Sequence, residues 1–452
     1  MKLLRATVVL ALAVAPLPAL AQSGALAFTV DTTADEPDAT AGDQLCRTAT
    51  GRCSVLAALQ EADANHGWAT ITVPPGRYAM AGGVAVGVFL KFELAGAGAA
   101  TTVIEPAAPI MLNVIDSAEI DLADVTLRNV GDTINGLSTE CPTGTLSFTR
   151  VALADADFPD TRHALAMSAS RCTGCTLGAE DAVIEDTTVA GTIAVAERDP
   201  GCGTEPAAFE ITRSTLRDGD GLLVFGAVGS IENSTLSGNG DALRLATSFD
   251  ESAVTLTHVT ATQNERGVVV EAPLLSGHVA LADSIVAGNA RNDVECDCDA
   301  SGTCGAVDGT GLVNTSVGCA VATTAADARL GPLADNGGPT PTHALLPGSP
   351  AIDAAEGSSC PATDQRGAPR PWPPGGRCDV GAYETGCRNG FVDPGEACDD
   401  GAANGRSGDR CSSSCQASLP GFLTLGLGDG RVRIGIGALG SITACTGACR
   451  TP

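Results

Sequence analysis

EITRSTLRDGDG at residues 210–221, SIENSTLSGNGD at 230–241, LTHVTATQNERG at 256–267 and LADSIVAGNARN at 281–292 repeat one phrase. It is a short strand, a polar residue, Thr-Leu or a near equivalent, and then a turn. Upstream it reads DLADVTLRNV (121–130), SFTRVALADA (147–156) and VIEDTTVAGT (183–192). The apolar anchor falls on Leu127, Leu153, Val189, Leu216, Leu236, Ala261 and Val286, in steps of 26, 36, 27, 20, 25 and 25 residues. Repeats of this length built from short β-branched strands mark a solenoid.

One copy cannot bury its apolar side alone, so copies must stack, each about 4.8 Å from the next. Seven copies make a rod of roughly 30–35 Å. Its narrow interior calls for Ala, Val, Ile and Leu, and aromatic residues are only 3% of the chain. Parallel crossovers are right-handed in nearly all sheets, so a right-handed coil is expected. The 36-residue step reads as one rung carrying an inserted loop (158–181), stapled by Cys172 or Cys175. Asn239, Asn264 and Asn289 recur at one offset, 25 residues apart. They read as an internal amide ladder at a corner whose left-handed backbone Asn tolerates.

Met1–Ala21 reads as a secretory signal: Lys2 and Arg5, an apolar run, then Ala-Leu-Ala. Its removal takes the net charge from −27 to −29, since it holds two bases and no acid. So acidic a surface repels nucleic acid and anionic lipid and tolerates divalent cations. No later apolar run is long enough to span a bilayer, so no integral membrane span is expected.

The 18 cysteines suit an oxidising compartment. They group as Cys46 and Cys53; Cys141, Cys172, Cys175 and Cys202; Cys296, Cys298, Cys304 and Cys319; Cys360 and Cys378; Cys387, Cys398, Cys411 and Cys415; Cys445 and Cys449. Without histidines near these groups, disulfides are preferred to zinc.

Near the amino terminus, FTVDTTADEPDA (28–39), GDQLC (42–46), GRCS (51–54), ALQEADAN (58–65) and TITVPPGRY (70–78) resemble the CSLREA module that precedes bacterial surface β-helices. After Cys53-Ser54 the chain departs from the eponymous motif, with Val-Leu-Ala-Ala. Ser54 is expected to cap a helix over residues 55–65 whose apolar face (Val55, Leu56, Leu59, Ala62) plugs the coil's open end. Asp31, Asp35, Asp38 and Asp43 are weighed as calcium ligands against a solvated acidic loop, which is preferred.

The solenoid class also hosts polysaccharide lyases and hydrolases, so catalysis has to be weighed on residues. Hydrolysis needs converging carboxylates, for which Asp218, Asp220 and Asp241 are the candidates. Lyase chemistry needs a basic residue beside carboxylates, for which Arg244 and Arg266 are nearest. Against both, the two tryptophans, Trp68 and Trp372, lie outside the repeats, and Asp-Gly pairs favour corners for backbone reasons. No Ser–His–Asp or Cys–His spacing emerges, and His258 reads as an exposed strand residue. Loops 158–181 and 196–206 are the first candidates for a binding face.

LADNGGPTPTHAL (333–345), LPGSPAID (346–353), DQRGAPRP (364–371) and CDVGAYE (378–384) resemble the choice-of-anchor Q domain of secreted β-helix proteins. That resemblance implies a surface or secreted protein in which this segment ends the coil; from their residue types, Asp364 and Arg366 are expected to pair or to bond backbone within it. CRNGFVDPGEACDDGAANGRSGDRCSSSCQ (387–416) resembles a cysteine-rich repeat of myxobacterial secreted proteins. Asp393, Glu396, Asp399 and Asp400 are weak calcium candidates there. The glycine-alternating tail suggests a hairpin closed by Cys445 and Cys449.

The expectation is therefore an all-β, right-handed parallel β-helix, a pectate-lyase-like solenoid, with a short amino-terminal capping helix and a small disulfide-rich carboxyl-terminal appendage. The segments are a signal peptide (1–21), a cap (22–80), repeats (81–318), a coil end (319–385), a cysteine-rich repeat (386–416) and a β-rich tail (417–452). The role read from it is structural or adhesive, toward a surface glycan or protein, with no cofactor and calcium as a candidate ion. The alternatives are a polysaccharide lyase or glycoside hydrolase, and a calcium-dependent module.

Overall fold

The computed structural model describes residues 25–417, apart from 66–67, 89–90, 115–118, 132–143, 160–162, 199–205, 247–251, 272–276, 299–303, 357–359 and 407–409, together with 423–427, 430–436 and 442–444. The signal at Met1–Ala21, Cys141, Cys202, Cys445 and Cys449 lie outside the described residues.

From Leu26–Thr29 to Ser316–Val317 the described residues form 29 strands of one parallel assembly, a β-helix. Its strands stack in three columns. In the first, Phe28, Ile71, Leu94, Leu122, Phe148, Met167, Ile184, Ile211, Ile231, Leu256 and Leu281 are successive register partners. All are buried, because alternate residues of each strand face the interior. In the third, Leu177, Ile193, Leu222, Leu243, Val268 and Val294 do the same.

The second column holds the Thr-Leu phrase. Tyr78, Ile104, Leu127, Leu153, Cys172, Val189, Leu216, Leu236, Ala261, Val286 and Val313 follow one another in register. All seven expected anchors lie in this column. The inserted loop is corrected: Arg171–Ala179 is a full rung between Ala152–Ala154 and Thr188–Ala196. Cys172, bonded to Cys175, stands at the anchor position. The 36-residue step is thus two short rungs.

Two internal polar ladders hold the corners flanking the second column. At one, the hydroxyls of Ser170, Thr187, Ser214 and Ser234 each accept a backbone N–H from the rung before, at 3.1–3.3 Å. At the other, Asn239 donates to Asn264 Oδ1 (3.1 Å), Asn264 to Asn289 Oδ1 (2.9 Å) and Asn289 to Asp293 Oδ1 (2.9 Å). The asparagines do not take the left-handed backbone themselves. That falls on the preceding residue, Gly238, Gln263 or Gly288, with φ of 72°, 60° and 72°.

The helix Val55–Ala64 starts where expected, Ser54 Oγ accepting the Ala57 N–H at 3.0 Å. Its buried Leu59 lines a small internal cavity together with Phe92, Leu94, Ile104 and Leu122 of the coil, so the helix plugs that end. The segment read as the cap also gives the coil Leu26–Thr29, Trp68–Thr72 and Gly76–Met80.

The carboxyl-terminal segment departs from the expected stopper. Residues near 319–324 cover the last rung, Thr324 N–H donating to Val313 O at 2.8 Å. The chain then turns back and runs as a strap along the side of the second column. Thr340 Oγ1 donates to Arg213 O (2.8 Å), Thr215 Oγ1 to Pro341 O (2.6 Å), Asn233 Nδ2 to Thr363 O (2.9 Å) and Thr235 Oγ1 to Gln365 Oε1 (2.7 Å). The Ala382 N–H donates to Thr260 Oγ1 at 3.0 Å. His258 is corrected from exposed to fully buried: it lies under the strap, its Nδ1 3.0 Å from Asp379 O.

Cys46–Cys53, Cys296–Cys319, Cys298–Cys304, Cys360–Cys378, Cys387–Cys415 and Cys398–Cys411 are disulfides. Beyond them, Leu423–Leu427, Gly430–Ile436 and Ile442–Ala444 form a three-stranded antiparallel sheet, one strand more than the expected hairpin. Among the described residues no helix is long and apolar enough to cross a membrane.

Candidate functional site

On the third face, Asp241–Ala246 pairs with Arg266–Glu271, which sets Asp241 directly opposite Arg266. One rung of separation brings the guanidinium onto the carboxylate in two bonds, Nε–Oδ1 at 2.7 Å and Nη2–Oδ2 at 2.8 Å. The neighbouring pairs also join one rung to the next, the first of them off register, since Arg244 faces Val269 and Glu271 faces Ala246. Arg244 reaches Glu271 at 2.6 Å, and Arg291 reaches Glu265 at 2.8 Å. A cavity of about 340 Å³ lies among Asp220, Leu223, Gly240, Asp241, Arg244, Glu265, Arg266 and Arg291.

Four of the five residues weighed for catalysis, Asp220, Asp241, Arg244 and Arg266, therefore share one groove. Asp218 is not on its lining and pairs with Arg217 at 2.6 Å. Sequence reasoning passed over Glu265, Glu271 and Arg291. A signal for Arg291 existed: Asp241, Arg266 and Arg291 each stand two residues after a ladder asparagine.

The arrangement neutralises charge. In-register stacking brings like charges about 4.8 Å apart, and alternating Arg with Asp or Glu turns that repulsion into attraction. The hydrogen bonds that Arg266 donates to Asp241 hold its pKa above the ordinary value. An arginine serving as a general base needs the opposite shift. Asp241 is nearly buried and has both oxygens occupied by Arg266. No aromatic ring lines the groove to stack on a sugar. Elsewhere on the rod, burial works against the Lys91 ammonium, yet bonds to Glu93, Asp121 and Glu119 raise its pKa. Arg150 likewise grips Asp124 through two bonds of 2.6 Å.

The calcium candidates hold backbone. Asp31 accepts Cys53 N–H (2.8 Å), Asp35 Ala81 N–H (2.6 Å), Asp43 Leu45 N–H (2.9 Å), and Asp38 the N–H groups of Thr40 and Arg47 (2.7 and 2.8 Å). Asp38 and Asp43 do meet a third carboxylate, buried Glu61, which accepts Gly42 N–H at 2.6 Å. In the cysteine-rich segment, no three of Asp393, Glu396, Asp399 and Asp400 converge among the described residues. Asp393 turns inward to Arg366 Nη1 (2.9 Å) and Tyr383 OH (2.7 Å). Asp399 accepts the N–H groups of Arg388 and Gly401 (2.7 and 2.6 Å), Glu396 accepts Asp393 N–H (2.9 Å), and Asp400 N–H donates to Asn404 (2.6 Å).

The expected Asp364–Arg366 pair is present at 2.9 Å with both side chains fully buried, and the guanidinium stacks 3.5 Å from the Tyr383 ring centre. Burial pushes nearby Glu384 up to about 7. This network ties the strap to the cysteine-rich segment. Loop 158–181 is mostly rung, and residues 199–205 of loop 196–206 lie outside the described residues.

No protein-family model matches the chain, and no curated protein is similar to it. Among solved structures, the crystal structure of pectate lyase Pel9A aligns over 80% of this chain and 97% of that one, with 13% identity and a TM-score of 0.31.

Proposed function

We propose that the protein is an exported rod whose role is structural or adhesive, making contacts through its lateral faces. The bidentate Arg266–Asp241 pair carries this reading, because Asp241 and every arginine of the groove are spent on ion pairs. Seven disulfides among the described residues suit an oxidising compartment outside the cytoplasm. In finer terms, residues 22–80 serve as a CSLREA-like cap, 319–385 as a choice-of-anchor Q-like segment and 386–416 as a cysteine-rich repeat, behind a cleaved signal.

A carbohydrate-active enzyme is the second reading, favoured by the meeting of Asp220, Asp241, Arg244 and Arg266 in one groove. Incubating the secreted protein with a panel of neutral and uronate polysaccharides separates the two. The proposal expects no depolymerisation. Cleavage that disappears in D241N and D220N would establish the enzyme instead. A calcium-dependent module, the third reading, requires heat on calcium titration and a rise in thermal midpoint.

A further inference from the structure

The strap covers only part of its track. Along the outward side of the second column, Ala152, Arg171, Thr188, Thr215, Thr235 and Thr260 are successive register partners. Thr215, Thr235 and Thr260 bond the strap; Ala152, Arg171 and Thr188 do not. These three uncovered residues line a cavity of about 700 Å³, walled at one end by Gly338–Pro341 of the strap.

The covered rungs show what such a track holds. Thr340 and Pro341 lie against one rung and His343 against the next, with the hydroxyl of Thr215 donating to the backbone carbonyl of Pro341. On the uncovered rungs the unspent groups are again donors. Thr188 occupies the position equivalent to Thr215. Arg171 is exposed and makes no ion pair among the described residues. Arg217 Nε, on the same lining, is buried without a hydrogen-bond partner. The acceptors are mostly taken: Asp124 is held by Arg150, and Asp186 by Arg213 at 2.8 Å.

We propose that this groove docks an extended peptide segment of a partner protein, one that carries a carboxylate for Arg171 and offers backbone carbonyls to Thr188 and Arg217. The rungs of Asp124 and Asp186 are three steps apart, roughly 14 Å, enough for about four extended residues. A single carboxylate suits one free guanidinium; a run of acids would meet the repulsion of a chain with net charge −27. The proposal rests on reading the rod as a recognition surface.

The test applies the secreted protein to arrayed hexapeptides carrying one Glu or a free carboxyl terminus, matched hexapeptides carrying Gln or a terminal amide, and neutral and carboxylated oligosaccharides. Retention of the carboxylate peptides is expected, weakened about tenfold or more by R171A and unchanged by R244A. R171A should keep the parent thermal midpoint, since the side chain is exposed and unpaired. Absence of peptide binding, indifference to R171A or to the Gln exchange, or binding of oligosaccharides alone would overturn it. Polysaccharide cleavage traced to Asp241 would overturn the structural reading and leave the peptide result standing.

Discussion

Asn264 Nδ2 lies 2.9 Å from Asn289 Oδ1, and that same oxygen accepts the Asn264 backbone N–H at 3.0 Å. One rung earlier, Asn264 Oδ1 treats Asn239 identically, at 3.1 and 2.9 Å. Asp293 ends the row: one oxygen accepts from Asn289 and the other from Thr315 of the last rung. Each amide thus satisfies the corner of one rung with the side chain of the next.

Removing the middle amide leaves the Asn239 N–H buried and unpaired. N264A is expected to destabilise the rod by about 2–3 kcal/mol, read from urea unfolding. An unchanged midpoint would show that the ladder is ornamental.

The Asp241–Arg266 contact should behave as a coupled pair across rungs. R266A leaves a nearly buried carboxylate without its guanidinium, so a loss of about 1–2 kcal/mol is expected. A D241A/R266A cycle should return a coupling of about 0.5–2 kcal/mol, and none if the pair is incidental.

Disulfides of different loop length should differ in weight. Opening Cys172–Cys175, three residues apart, removes about 2 kcal/mol of loop-closure stabilisation, and C172V refills the anchor position with a β-branched residue. Opening Cys296–Cys319, 23 apart, removes about 3.5 kcal/mol. Thermal melts of C172V/C175A and C296A/C319A should therefore rank in that order.

Glu384 makes strap stability depend on pH. Its pKa is raised in the folded state from 4.5 to about 7, burial being the main cause. Its contribution is full below pH 4.5 and is lost as pH rises through 7. Buried His343 works oppositely: its lowered pKa removes stability as pH falls through 6.5. E384Q isolates the first effect. Between pH 5 and 8 the parent should lose about 1–3 kcal/mol more than E384Q, and parallel curves would refute the assignment.

The coil was legible because Leu127, Leu153, Leu216 and their equivalents keep both phrase and offset. The rung at Cys172 was not, since a cysteine replaced the aliphatic anchor and the two steps, 19 and 17 residues, fell below the prevailing period. The strap's course was equally hidden. Its bonds join residues more than a hundred apart, such as Asn233 to Thr363, through backbone carbonyls that carry no sequence signature. His258 misled for the same reason, its burial coming from the strap and not from its own strand. In the groove, Asp241 and Arg266 were readable as types in a repeat, but their mutual neutralisation needed the register.

Stacking of rungs in one column is tested most directly by a distance along the axis. Ser147, Ala166, Val183, Glu210, Ser230, Thr255 and Ala280 are successive partners on the outer side of the first column. Spin labels introduced as non-cysteine amino acids at Ser147 and Ala280 should lie about 29 Å apart, six steps of about 4.8 Å. A single distance near that value supports the coil with its additional rung at Cys172; a distance below about 20 Å, or a broad distribution without a peak, would contradict it.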